Sequence, residues 1–211
     1  MLKVGNTAIA AVTAAALCSG AWLLRSGAET HAPPQPSAAQ AHASGPASAG
    51  AGGRSAPALP PSPPDRIRIP AIHVDAPLTG LALTPSGSLA VPPAEKENLA
   101  GWYEAGVTPG ETGTAIVAGH VDNADGPAVF YDLGALRKGS AVEVDRRDGR
   151  VAVFTVDAVE VYPARDFPDR KVYGAASRPE LRVITCGGGY SKATGYQGNV
   201  VVFAHLTSAR G

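Results

Sequence analysis

Polar and apolar residues alternate with period two through Arg66-Ile67-Arg68-Ile69, which predicts a strand with one buried face. Short apolar runs follow at Thr114–Ala118, Ala141–Val144, Val151–Val156, Leu181–Thr185 and Val200–Ala204. Val, Ile, Thr and Phe dominate them and turn residues bound them, so each predicts a strand. Lys138-Gly139 precedes the strand that starts at Ala141, and Asp148-Gly149 marks a hairpin turn between that strand and the next. Only Gly126–Leu136 predicts a short helix, with Phe130, Leu133 and Leu136 at helical spacing. Many short strands with turn signals predict a closed barrel or a sandwich. No internal repeat interrupts the series.

The pattern changes upstream of Asp65. From Ser26 to Pro64 nearly every residue is Ala, Pro, Ser or Gly, and Leu59 is the one large apolar residue. Such a stretch buries too little surface to offset the entropy of ordering, so residues 26–64 are expected to be a disordered linker. Before it, Lys3 precedes an apolar, Ala-rich run from Val4 to Leu24, closed by Arg25. About 20 apolar residues can span a bilayer. Residues 1–25 therefore fit an N-terminal membrane anchor or a secretory signal segment, and the length favours the anchor. Lys3 favours an inside N-terminus and an extracytoplasmic domain, against the single charge of Arg25. The folded domain is expected at 65–211.

Composition narrows the chemistry. The 211 residues carry a formal net charge of zero, which removes the electrostatic case for nucleic acid as a partner. The two cysteines, Cys18 and Cys186, exclude a disulfide framework. No Cys-x-x-Cys spacing and no close histidine pair suggests a metal site. Cys186 closes a predicted strand and opens Gly187-Gly188-Gly189, which leaves its thiol open to a carbonyl and offers backbone N–H groups to an oxyanion. Against this stands an inert buried cysteine. His120 also closes a strand, in Ala118-Gly119-His120-Val121-Asp122. In a barrel two such ends can share a rim. Asp122 is placed either to orient the imidazole or to cap a turn. His73 lies in a short loop without glycine, His31 and His42 fall in the linker, and His205 ends the last strand.

Ile184-Thr185-Cys186-Gly187-Gly188 resembles the active-site strand of sortases, in the form seen in the class F enzymes of actinobacteria. Ala118–Asp122 resembles the histidine strand of that class, and Gly126–Phe130 and Asn199–Ala204 are also similar. The resemblance implies a mostly β fold, an eight-stranded sortase-like β-barrel with short helices in its loops. It implies a transpeptidase without cofactor that cleaves a Leu-Pro-x-Thr-Gly-like C-terminal sorting signal. Cys186 would be the nucleophile and His120 the proton carrier. The implied partners are sorting-signal peptides, an amine acceptor such as a cell-wall precursor, and the membrane, with the protein acting as a monomer. One feature departs from the family. Its arginine on the last strand is replaced by Asn199 at one position in use and by Gln197 at the other. Those two side chains can give neutral hydrogen bonds. Arg182 and Arg170 are the alternatives, Arg182 because alternation puts it on the face of Cys186. A hydrolase with the same pair and a non-catalytic peptide-binding barrel are the rival readings.

Overall fold

Ile67, Ile69, Val142, Val144, Phe154, Val183 and Val202 all turn their side chains into one buried cluster, and the strands that carry them close around it. The computed structural model describes residues 32–41 and 55–211. The predicted anchor and much of the predicted linker lie outside them. Among the described residues no helix is long and apolar enough to cross a membrane. The strands are β1 (Pro64–Ile69), β2 (Val74–Leu81), β3 (Ala100–Tyr103), β4 (Gly113–Gly119), β5 (Asp122–Asn123), β6 (Gly126–Pro127), β7 (Ala141–Arg146), β8 (Val151–Pro163), β9 (Pro179–Ser191) and β10 (Gly195–Arg210). Eight of them form a closed barrel in the order β1-β2-β3-β4-β9-β10-β8-β7, and β5 and β6 form a separate small hairpin. Closure leaves the barrel without a free edge. The fold expected from the sequence is the one observed.

Two parallel contacts, β2 with β3 and β4 with β9, stand among antiparallel neighbours. The second of these positions the site. A smaller apolar cluster of Ile116, Ala158, Val172, Ile184, Val201 and Phe203 covers the outer face of β4, β9, β10 and β8. Val172 comes from α1 (Asp169–Tyr173), a short helix that the sequence pattern did not predict. The predicted helix at Gly126–Leu136 is absent: β6 takes its start and a 3-10 turn, Leu133–Ala135, its end. Gly126, with φ of 138°, and Pro127 oppose helix there. Phe130, Leu133 and Leu136 still reach the core, through turns.

Two stretches within the predicted linker are packed against the barrel. Ala56 N–H donates to Leu206 O at 2.9 Å and Leu59 N–H to Gly110 O at 2.9 Å, while both side chains rest on the core. Pro60 O accepts from the buried guanidinium of Arg146, which also bonds Pro109 O and Asp148. Further upstream, Gln40 Oε1 accepts from Lys138 N–H at 2.8 Å and Gln35 Oε1 accepts from Gly188 N–H at 3.2 Å.

Candidate active site

The parallel register of β4 and β9 pairs Val117 with Val183 and Ala118 with Ile184. Beyond the last pair, the same register continued for two residues would bring His120 level with Cys186. Thr185 Oγ1 donates to Gly119 O at 2.9 Å and ties the two strand ends together between them. Gly119 has to be glycine, because a Cβ there would sit 2.7 Å from the side chains of Phe130 and Val129. The backbone beyond Cys186 bends through Gly188 and Gly189 at φ of 75° and 93°, values that favour glycine.

Cys186 is exposed and opens onto a groove with a cavity volume of about 880 Å³. Ile116, Ala118 and Ile184 line it, and the chain from Leu83 to Val91 and α1 contribute further lining residues. The loop that includes Val91 also fixes the histidine. His120 Nε2 lies 2.7 Å from Pro92 O. A carbonyl can only accept, so Nε2 carries a proton and Nδ1 is left for proton exchange. Burial raises the Cys186 thiol above its ordinary value, and the charge of Asp122 raises it further.

The structure brings some of the predicted residues together and separates others. Asn199 stands directly opposite Cys186 in the antiparallel register of β9 and β10 and lines the same groove. Gln197 is exposed on the same strand and does not line it. Arg182 shares the face of Cys186, as alternation predicts, but lies four residues along the strand, about 13 Å away. There it is buried, bonded to Glu180 at 2.7 Å and stacked 4.6 Å over the ring of Phe203. Arg170 is exposed on α1 and is not among the lining residues. Asp122, on β5, accepts a short hydrogen bond from the hydroxyl of Tyr196. Sequence reasoning missed Tyr196, which sits near the start of β10, upstream of the apolar run that marks that strand. Among the backbone donors after Cys186, Gly188 N–H is already taken by Gln35. Among the described residues no group of His, Cys, Asp and Glu is arranged to hold a metal ion.

Comparison with known proteins bears on the fold that carries these residues. The sortase domain model matches residues 67–207. No curated protein matches the chain. Among solved structures, sortase A from Corynebacterium diphtheriae is similar at 21% identity and a TM-score of 0.54, over 70% of this chain and 62% of that one. The chain thus spans less than two thirds of that relative. A SrtA sortase from Actinomyces oris is similar at 17% identity and a TM-score of 0.53, over 75% of this chain and 89% of that one. Sortase A from Listeria monocytogenes matches at 15% identity and a TM-score of 0.52, over 71% and 90%.

Proposed function

Because this chain belongs to the sortase family, we propose that it is a class F cysteine transpeptidase. It cleaves a Leu-Pro-x-Thr-Gly-like C-terminal sorting signal and joins the acyl fragment to an amine, such as that of a cell-wall precursor. The observation that supports this reading is the parallel register of β4 and β9, which runs up to the strand ends where His120 and Cys186 stand, with Cys186 open to an apolar groove. The groove floor from Thr114 to Cys186 spans about 20 Å, enough for some six extended residues. The protein works as a monomer, held at the membrane by residues 1–25, with its catalytic domain outside the cytoplasm.

In the first half-reaction the Cys186 thiolate attacks the Thr carbonyl carbon. The resulting oxyanion takes neutral hydrogen bonds, with Asn199 the side chain best placed opposite the thiol. Protonated His120 gives its Nδ1 proton to the Gly nitrogen, the C–N bond breaks, and a thioester remains. In the second half the acceptor amine attacks the thioester and His120 takes its proton. The C–S bond then breaks, an amide forms, and Cys186 is released.

Mass spectrometry of the full chain in detergent, mixed with a library of sorting peptides, tests this. A thioester adduct on Cys186 that an added primary amine converts to a new amide is the expected result. Turnover by Cys186→Ala would defeat the assignment, and release of the free acid alone with amine present would make the protein a hydrolase.

A further inference from the structure

Tyr196 and Asp122 come from chain segments 74 residues apart and meet close enough to Cys186 for the Asp122 charge to act on its thiol. Asp122 follows His120 by two residues, and Tyr196 precedes Asn199 by three on the strand that faces Cys186. Among the described residues no lysine, arginine or histidine forms a salt bridge with the Asp122 carboxylate, which accepts a hydrogen bond from the phenol hydroxyl of Tyr196. The phenol is itself held: Tyr196 pairs with Tyr190 across β9 and β10, with ring centroids 5.2 Å apart at 62°. Burial first, then the bond to and the charge of Asp122, raise the Tyr196 hydroxyl far above its ordinary value, and Tyr131 and Cys186 add to this. It therefore stays a neutral donor wherever the enzyme works.

A carboxylate beside a nucleophilic thiol is unfavourable for ionisation, because it repels the thiolate. A donor on that carboxylate draws its charge toward the phenol and fixes its direction. Resting on the reading of Cys186 as nucleophile, we propose that Tyr196 is a positioning residue whose bond to Asp122 sets the charge environment in which Cys186 ionises. Around the thiol, Asp122 on β5 acts on it by charge, Asn199 on β10 stands opposite it, Tyr196 on β10 bonds Asp122, His120 follows the end of β4, and Tyr131, in the chain after β6, feels the same Asp122 charge. Of these, Asp122 carries the negative charge, and Tyr196 decides where that charge points.

The test is the pH profile of iodoacetamide alkylation at Cys186, in the full chain carrying Cys18→Ala so that one thiol remains. Tyr196→Phe removes the hydroxyl and keeps the ring packing. Its profile should move up by about half a unit, or about threefold slower alkylation at a fixed pH below the midpoint. Asp122→Asn should move the profile down. The double variant should match Asp122→Asn alone, since Tyr196 acts through the carboxylate. An unchanged profile in Tyr196→Phe overturns the proposal, and so does the same upward shift in the Asp122→Asn background, which would mark a packing effect. Alkylation reads ionisation whether or not the protein transfers peptides. A failed acyl-enzyme experiment and a failed profile are thus distinct results.

Discussion

Strands β9 and β10 present one continuous face to two different settings. At one end Cys186 and Asn199 stand opposite each other, amid glycines, and open onto the groove. At the other end Arg182 and Phe203 stand opposite each other and are sealed. There Glu180 bonds both Arg182 and Arg178, Arg178 reaches Asp157, and Asp157 holds His205 Nδ1 at 2.8 Å. The alternation of the strand treats the two ends alike. They differ in whether the polar groups already have partners. The arginine on this face is committed to structure, and the proposed chemistry at the open end draws on neutral donors.

Changes at the open end should remove chemistry and leave the fold alone. Cys186→Ala has the largest effect: acyl-enzyme formation disappears, while the urea midpoint stays within error of the parent. At the sealed end the order reverses. Arg182→Met keeps an apolar stem over Phe203 but deprives Glu180 of its buried partner. Loss of one member of such a pair costs about 3 kcal/mol, measurable by urea unfolding, and the acylation rate per folded molecule should stay within about twofold. An acylation rate that collapses with stability intact would mean that Arg182 reaches the thiol after all.

Asn199 sits between these extremes. Asn199→Ala should slow acylation about tenfold, equivalent to about 1.4 kcal/mol in the barrier, and Asn199→Arg should recover or exceed the parent rate. Gln197→Ala should change little, because that side chain is outside the groove. The smallest effect concerns acid. Burial works to raise the Glu180 carboxyl, but the bonds from Arg182 and Arg178 outweigh it and hold it below its ordinary value. A depressed carboxyl stabilises the fold above its unfolded-state value and loses that contribution as pH falls through the folded one. Urea midpoints should therefore drop as pH falls below 4.5, the ordinary value, and drop less steeply in Arg182→Met.

Much of this was legible in the sequence, for reasons that vary with the element. β1 showed in its alternation, and β4, β9 and β10 showed as apolar runs. Cys186 and His120 stood out because each closes such a run beside glycine. β2 was hidden by Pro77 and Gly80 within it, and β3 is only Ala100–Tyr103. The packed stretch around Ala56 and Leu59 was invisible because its bonds to the barrel run through backbone N–H groups, which composition does not encode. The sealing of Arg182 was hidden for another reason. Glu180 is near it in sequence, but Phe203 reaches it only across the register of β9 and β10.

The parallel joining of β4 and β9 also governs when activity can arise. Antiparallel neighbours can be linked by a tight turn, but parallel ones need a long crossover. Between Gly119 and Pro179 that crossover contains β5, β6, β7, β8 and α1. The imidazole and the thiol therefore meet only after the chain between them has been threaded into place. Pairings of such sequence separation form late and slowly, because the closure entropy comes before the contacts that offset it. On the proposed reading of Cys186 and His120, a chain still assembling would carry a thiol without its proton partner and without the groove. Registering β4 against β9 would then complete the barrel and the proposed site together.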